Sequence, residues 1–352
     1  MSESSSQFEK RKQDHIRIAL DPRSQAEGLS GLENVQLIHE ALPSFNFKEV
    51  DSSTSFFSRK LSAPFFISSM TAGHEKGFEI NSRLAKLSAE KQILMGVGSQ
   101  RRELADSDAR REWQEIRKQA PKALLLGNLG IAQIIRTPTD KVQALVESLG
   151  AEALFVHLNP LQECLQPEGT TEFRGGADAI ENLVKKLSVP VIVKEVGCGF
   201  SKETLQRLFN LGVYTVDVSG LGGTHWGRVE GYRSEKTELL FQVAQTFENW
   251  GHSTVESLLN AKEIDEKIPV WASGGVRDGL QAAKLLALGA DMVGVAQPWL
   301  KAALEDSQTP DSEAVNKLYE KLLLELKIAM FCTGIAKVEE FKIKRVWKWH
   351  AR

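Results

Sequence analysis

The chain has 352 residues, room for one large domain or two ordinary ones. Its 44 Lys and Arg nearly balance 46 Asp and Glu, a net charge of −2, which excludes the basic excess of a nucleic-acid binder. With 42% hydrophobic and 26% charged residues it can bury a large core. Cys164, Cys198 and Cys332 include no CxxC pair, so neither a disulfide framework nor an ordinary thiolate zinc site is expected. The start is polar and has no apolar signal segment, and the longest apolar stretch, 285–300, is interrupted by Asp291 and Gln297. A soluble, cytoplasmic protein is the expectation.

In chain order, short apolar runs predict strands at 64–69, 94–98, 124–129, 153–158, 190–196, 214–219, 269–273 and 291–296. They are nearly continuous in Val, Ile, Leu and Ala, the pattern of strands buried on both faces of a parallel sheet. Between them, 139–149, 177–187 and 279–288 carry apolar residues at helical spacing, with Gly150 and Gly289 as stops. Eight strands in the 233 residues from Pro64 to Ala296, about 29 per unit, predict a single (β/α)8 TIM barrel of class α/β. An open doubly wound sheet is the rival, but no GxGxxG follows an early strand. The expected divisions are an extension over 1–63 closing over the active site, the barrel over 64–306, and a C-terminal helix and basic tail over 307–352. Between the sixth and seventh strands lie a Gly-rich segment, 220–231, and a helical run, 237–250.

Active sites of such barrels lie at the C-terminal strand ends. Polar residues converge there: Ser68-Ser69-Met70-Thr71, Ser99-Gln100-Arg101, Asn128, His157 to Glu163, Lys194-Glu195, Ser219 to His225, and Ser273 to Arg277. In Ser273-Gly-Gly-Val-Arg277 the glycines would let backbone N–H groups approach an anion, assisted by Arg277 and by the helix starting near Asp278. With Gly294-Val-Ala-Gln297 this makes a phosphate site. Lys194 ends an apolar strand and points into the barrel mouth, where an ammonium needs an anion. A flavin, whose N1–C2=O edge turns negative on reduction, would serve; so would a plain ion pair with Glu195 or Glu163. The oxygen-rich run from Asn159 to Glu163 suits Mg2+, although an ordinary loop acid reads equally well. Arg11-Lys-Gln-Asp-His15 could close over the rim onto an anionic substrate, or be solvated tail.

These motifs together resemble the type 2, FMN-dependent isopentenyl diphosphate isomerases. The carriers are Arg11-Lys-x-x-His15, Met70-Thr-Ala-Gly73, Gly96-x-Gly-Ser-Gln-Arg101, His157-Leu-Asn-x-x-Gln-Glu163, Val193-Lys-Glu-Val-Gly197, Gly222-Gly-Thr224 and Ser273-Gly-Gly-x-Arg277. They run from Arg11 to about Gly334. The resemblance implies reversible conversion of isopentenyl diphosphate to dimethylallyl diphosphate with reduced FMN as acid–base cofactor, NADPH as reductant and Mg2+ on the diphosphate. It implies a homo-oligomer, tetrameric or octameric, with no nucleic-acid or membrane partner. By the same resemblance Ser69, Met70, Thr71, Ser99, Asn128, Lys194, Ser219 and Thr224 would bind FMN, and Gly274, Gly275, Arg277, Ala296 and Gln297 its phosphate end. Arg11, Lys12, His15, His157, Asn159 and Gln162 would bind substrate. Gln162 and Glu163 would be catalytic, with Glu163 also on the metal.

Other readings stay open at this point. A flavin hydroxy-acid oxidase needs a His base with an Arg, for which His225 is the candidate beside His157. An IMP-type dehydrogenase needs a cysteine in 220–231, and there is none. A non-catalytic barrel binding a phosphorylated ligand is the third.

Overall fold

Runs that are apolar at every position must bury both faces, and here each run does so as a barrel strand. The structure is a computed structural model that describes residues 5–70, 75–104, 106–234, 237–309 and 312–350. The strands are β1 (Phe65–Ile67), β2 (Leu94–Gly96), β3 (Leu124–Gly130), β4 (Ala153–His157), β5 (Val191–Lys194), β6 (Thr215–Asp217), β7 (Val270–Ala272) and β8 (Met292–Val295). They pair in parallel in chain order, and β8 returns to β1 to close the barrel. All eight lie within the runs expected from sequence, apart from Gly130 at the end of β3.

The two faces separate by alternation. Phe66, Leu94, Leu126, Phe155, Ile192 and Trp271 fill the barrel interior. Ile67, Met95, Leu125, Val156, Val193 and Val293 belong to the larger core that includes the surrounding helices. The helices Thr139–Leu149, Gly176–Lys186 and Gly279–Ala287 stand where their periodicity placed them, with Gly150 and Gly289 at positive φ behind two of them.

The first 63 residues contribute at both ends of the barrel. The helix Ser5–Ala19 lies at the C-terminal strand ends, where Arg11, Lys12 and His15 share a cleft with His157 and Lys194. An antiparallel ribbon, Thr54–Phe56 with Arg59–Leu61, lies at the opposite end, where Phe56 meets the Trp271 ring edge-on at 5.5 Å. The C-terminal helix Ala314–Phe331 packs on the helices Gly279–Ala287 and Gln297–Gln308. The tail then forms a strand, Trp347–Trp349, antiparallel to Val35–Leu37, tying the two extensions together.

One segment differs from its sequence reading. The Gly-rich stretch 220–231 becomes helical from Trp226 to Arg233 in spite of Gly227 and Gly231. A Cβ at Gly231 would lie 2.6 Å from that of Ala244, and one at Gly227 would lie 2.8 Å from Leu161. These glycines serve close helix packing rather than a turn. The helical run 237–250 shortens to Leu239–Thr246. Among the described residues no helix is long and apolar enough to cross a membrane.

Candidate active site

Register sets the central feature. His157 on β4 pairs with Lys194 on β5, and Lys194 with Asp217 on β6, so three ionisable groups form one row across the rim. Lys194 is buried, donates to the Glu195 carbonyl at 2.5 Å, and has its Nζ 3.7 Å from Asp217 Oδ2. The partner is therefore Asp217, not the Glu195 or Glu163 carboxylate considered from sequence. Ser273 Oγ donates to Asp217 as well, at 2.8 Å. Burial pushes the Asp217 carboxyl up, and Lys194 and Ser273 pull it back. The Glu195 carboxylate instead turns away to accept backbone N–H groups of Val196, Gly197 and Cys198.

Above this row a cleft of about 630 Å³ is lined by Ser69, Lys194, Ser219, Thr224, Gly274, Gly275, Arg277, Ala296 and Gln297, nine of the residues expected to hold FMN. Gly275 has φ +84°, and a Cβ there would lie 2.5 Å from the carbonyl carbon and oxygen of Gly222. Two backbones thus meet face to face, and Arg277 Nη1 donates to both carbonyls, Gly222 at 3.1 Å and Gly275 at 2.9 Å. The expected contribution of the helix near Asp278 needs correction. Asp278 accepts from Gln281 N and Glu325 accepts from Gly279 N, so two carboxylates already occupy that helix N-terminus. The uncapped N-terminus in the cleft belongs to the helix Gln297–Gln308, which has no side-chain cap and Pro298 in its first turn. Its free N–H groups suit an anion.

A second cleft, about 710 Å³, adjoins the first through Ser69, Lys194, Val196 and Trp226. Its walls carry Arg11, Lys12, His15, Met70, Ser99, Asn128, His157, Asn159, Gln162 and Glu163. The N-terminal helix packs on this rim, and Arg11 and His15 are buried there. Arg101 adds a third permanent cation to this wall beside Arg11 and Lys12. Thr71 lies outside the described residues.

Hydrogen bonds fix the states of several groups. Asn128 Nδ2 donates to Val97 O, so its Oδ1 faces His157 Nδ1 at 2.9 Å, and that nitrogen carries the hydrogen. Burial, then the charges of Lys194, Lys12 and Arg101, push His157 down to about 3, leaving a neutral ring with Nε2 as acceptor. Asn159 Nδ2 donates to Gln162 Oε1 at 3.0 Å and Glu163 Oε1 at 2.9 Å, and Thr170 N donates to Glu163 Oε2 at 2.5 Å. Gln162 Nε2 donates to Glu230 at 3.0 Å. Burial would raise the Glu230 carboxyl, but hydrogen bonds from His15 and Gln162 and the Arg233 charge overcome it and hold it near 2.

Ser68 Oγ and Ser69 Oγ line the first cleft, are buried and have no hydrogen-bond partner among the described residues, as expected of hydroxyls awaiting a polar ligand. With Lys194, the glycine cradle and the open helix end, they fit FMN. Among the described residues no three His, Cys, Asp or Glu cluster as a metal site. Glu163, with lone pairs left on both oxygens, fits a Mg2+ that takes its other ligands from phosphate and water.

The FMN-dependent dehydrogenase family matches residues 170–348. The isopentenyl-diphosphate delta-isomerase of Bdellovibrio bacteriovorus is 64% identical over 98% of this chain and 99% of that protein. That of Legionella pneumophila (strain Lens) is 51% identical over 96% and 98%. The chain belongs to this isomerase family. A flavocytochrome b2 variant with pyruvate bound shares the fold, with a TM-score of 0.68 at 20% identity over 98% of this chain and 84% of that one.

His225, the base candidate of the oxidase reading, lines neither cleft. Its Nδ1 accepts from Arg228 N at 3.2 Å, and its Nε2 faces Trp250 O at 3.1 Å. The ring is a helix cap. Around these clefts, sequence reasoning missed Trp226, which lines both, and Asp217, Glu230 and Arg233, which hold lining residues or their partners from behind. Asp217 had a signal, an acid ending an apolar strand just as Lys194 does. Glu230 lies in the Gly-rich stretch 220–231 and Arg233 just beyond it, and neither had a signal.

Proposed function

We propose that the enzyme interconverts isopentenyl diphosphate and dimethylallyl diphosphate, with FMN in the glycine-lined cleft and substrate in the adjoining cationic one. The observation carrying this reading is the continuity of the two clefts: an anion cradle with buried Lys194 opens onto a wall bearing Arg11, Lys12 and Arg101. A hydroxy acid would need a base and one carboxylate clamp. Three cations instead match a diphosphate.

Gly274, Gly275, Arg277, Ala296 and Gln297 would hold the FMN phosphate. Ser69, Met70, Ser99, Asn128, Ser219 and Thr224 would bind the rest of the cofactor, and Lys194 would meet the ring edge that becomes anionic on reduction. Reduced FMN, once bound, would supply the acid–base chemistry that an unactivated alkene requires. Arg11 and Lys12 would bind the diphosphate, with Arg101 beside them. His157, whose Nε2 is an acceptor, would hold a phosphate oxygen only after taking a proton, which the incoming dianion favours. Glu163 would carry Mg2+ at the diphosphate. Gln162, its amide set by Asn159 and Glu230, would orient a proton near the alkene; an amide is too weak a base to remove one alone. NADPH as reductant, a cytoplasmic location and a tetrameric or octameric assembly belong to the same proposal.

Anaerobic turnover of isopentenyl diphosphate, omitting FMN, NADPH and Mg2+ one at a time, tests it. Activity should vanish without FMN or without reductant and fall without Mg2+. Turnover without flavin, or NADPH consumed in proportion to product, would refute it.

A further inference from the structure

We propose that His15 is a positioning residue for Gln162, acting through Glu230, and not a ligand of the diphosphate. The inference rests on the function proposed above and assigns a different task to one residue of its cationic helix.

His15 Nε2 lies 3.0 Å from Glu230 Oε1, and Gln162 Nε2 lies 3.0 Å from the same oxygen. Arg233 takes the other oxygen. Glu230 is wholly buried, and with these three donors its carboxylate is an acceptor only. The hydrogen must therefore sit on Nε2 of His15. In the neutral ring the remaining nitrogen, Nδ1, presents a lone pair and could donate to a phosphate oxygen only by taking up a second proton. Burial also disfavours a second proton on this ring, and Lys12 and Arg233 add to that, against the pull of Glu230. The ring is held in place by Trp226, whose ring it meets edge-on at 5.0 Å.

Gln162 gains its orientation from this arrangement. Its Oε1 accepts from Asn159 and its Nε2 donates to Glu230, so the amide cannot flip without losing both bonds. Glu230 can hold Oε1 toward Gln162 only while a second donor shares that oxygen. Without His15 the carboxylate is free to turn both oxygens onto the Arg233 fork, which itself leans on Glu168 at 2.9 Å. Docking of the helix Ser5–Ala19 is thereby coupled to the side chain that faces the substrate cleft.

The experiment compares His15→Ala, His15→Gln and Lys12→Ala as FMN-loaded full-length enzyme. It measures kcat, KM for isopentenyl diphosphate and inhibition by inorganic diphosphate. For His15→Ala, kcat should fall about a hundredfold while KM and diphosphate inhibition stay within about twofold, the signature of lost alignment rather than lost binding. His15→Gln, whose Nε2 reaches the same place, should recover most of the loss, whereas Lys12→Ala should raise KM and weaken diphosphate inhibition. If His15→Ala and His15→Gln both behave like Lys12→Ala, or if neither changes any of the three quantities, the proposal is overturned. Should His15→Ala fail to fold, His15→Gln and Glu230→Gln decide alone and combined. Non-additive losses in kcat support the relay, and additive ones overturn it. A parent enzyme that does not isomerise at all overturns the functional reading and this proposal with it, whereas an active parent confines any failure to His15.

Discussion

Replacing Gly275 by alanine tests the anion cradle at its tightest point. The backbone there has φ +84°, a left-handed conformation that costs an L-residue about 1–2 kcal/mol. The added Cβ would also lie 2.5 Å from Gly222 C and O and 2.9 Å from its Cα. Neither neighbour can rotate aside, because both are backbone, and Gly222 is itself pressed against Ser30 on its far side. The loop after β7 must then part from the loop after β6, breaking the contact of Arg277 with the Gly222 carbonyl. Apoprotein can relax in this way; protein with FMN bound cannot, so the strain appears in cofactor affinity. A penalty of about 1–2 kcal/mol is roughly five- to thirtyfold in Kd, a lower bound because the clash adds to it. Titrating apoprotein with FMN and following quenching of flavin fluorescence gives the number directly. A Kd within twofold of the parent would show that the cradle does not hold the cofactor.

Three other outcomes are expected. Lys194→Met leaves Asp217 buried with only Ser273 and backbone for support, and loss of one member of a buried pair costs about 3–5 kcal/mol in thermal or denaturant unfolding. Adding Asp217→Asn should restore much of that stability without restoring flavin binding, and a double variant no more stable than Lys194→Met would refute the pairing. His157 has its folded pKa depressed to about 3, so the unfolded chain takes up a proton near pH 6.5 that the native state refuses. Stability therefore falls as pH drops from 6.5 towards 3, by about 2 kcal/mol from this group at pH 5. His157→Asn should show a correspondingly shallower acid limb in pH-dependent unfolding; an unchanged limb would contradict a neutral ring. Glu163→Gln should raise the Mg2+ concentration for half-maximal turnover at least tenfold while FMN affinity, read by the same titration, stays put. Release of FMN instead would reverse the division of labour.

How far the site was legible follows from where its signals lie. Lys194 stood out because an ammonium ends a strand that is otherwise fully apolar, and the glycine pair at Gly274 and Gly275 because positive φ has a chemical signature. Asp217 was equally visible as an acid after Thr215-Val216, but nothing in one dimension sets the register of β5 against β6, which puts Lys194 opposite Asp217. The helix Trp226–Arg233 was hidden by its own glycines, which look like turn residues until Ala244 and Leu161 are seen against them. Glu230 went with it. The helix N-terminus near Asp278 read as open to an anion, because the carboxylate that accepts from its Gly279 N–H, Glu325, comes from 46 residues away.

Sequence alone determined the eight-stranded parallel barrel and the rim on which chemistry gathers, since burial on both faces and polar strand ends are local properties of composition and spacing. Tertiary structure alone decided which ionisable groups meet, and therefore which carry charge. Lys194 with Asp217, His157 with Asn128, and His15 and Gln162 each with Glu230 are contacts between residues 23 or more positions apart. A charge in a buried site is set by the partners that closure of the barrel brings to it, and no window along the chain contains them.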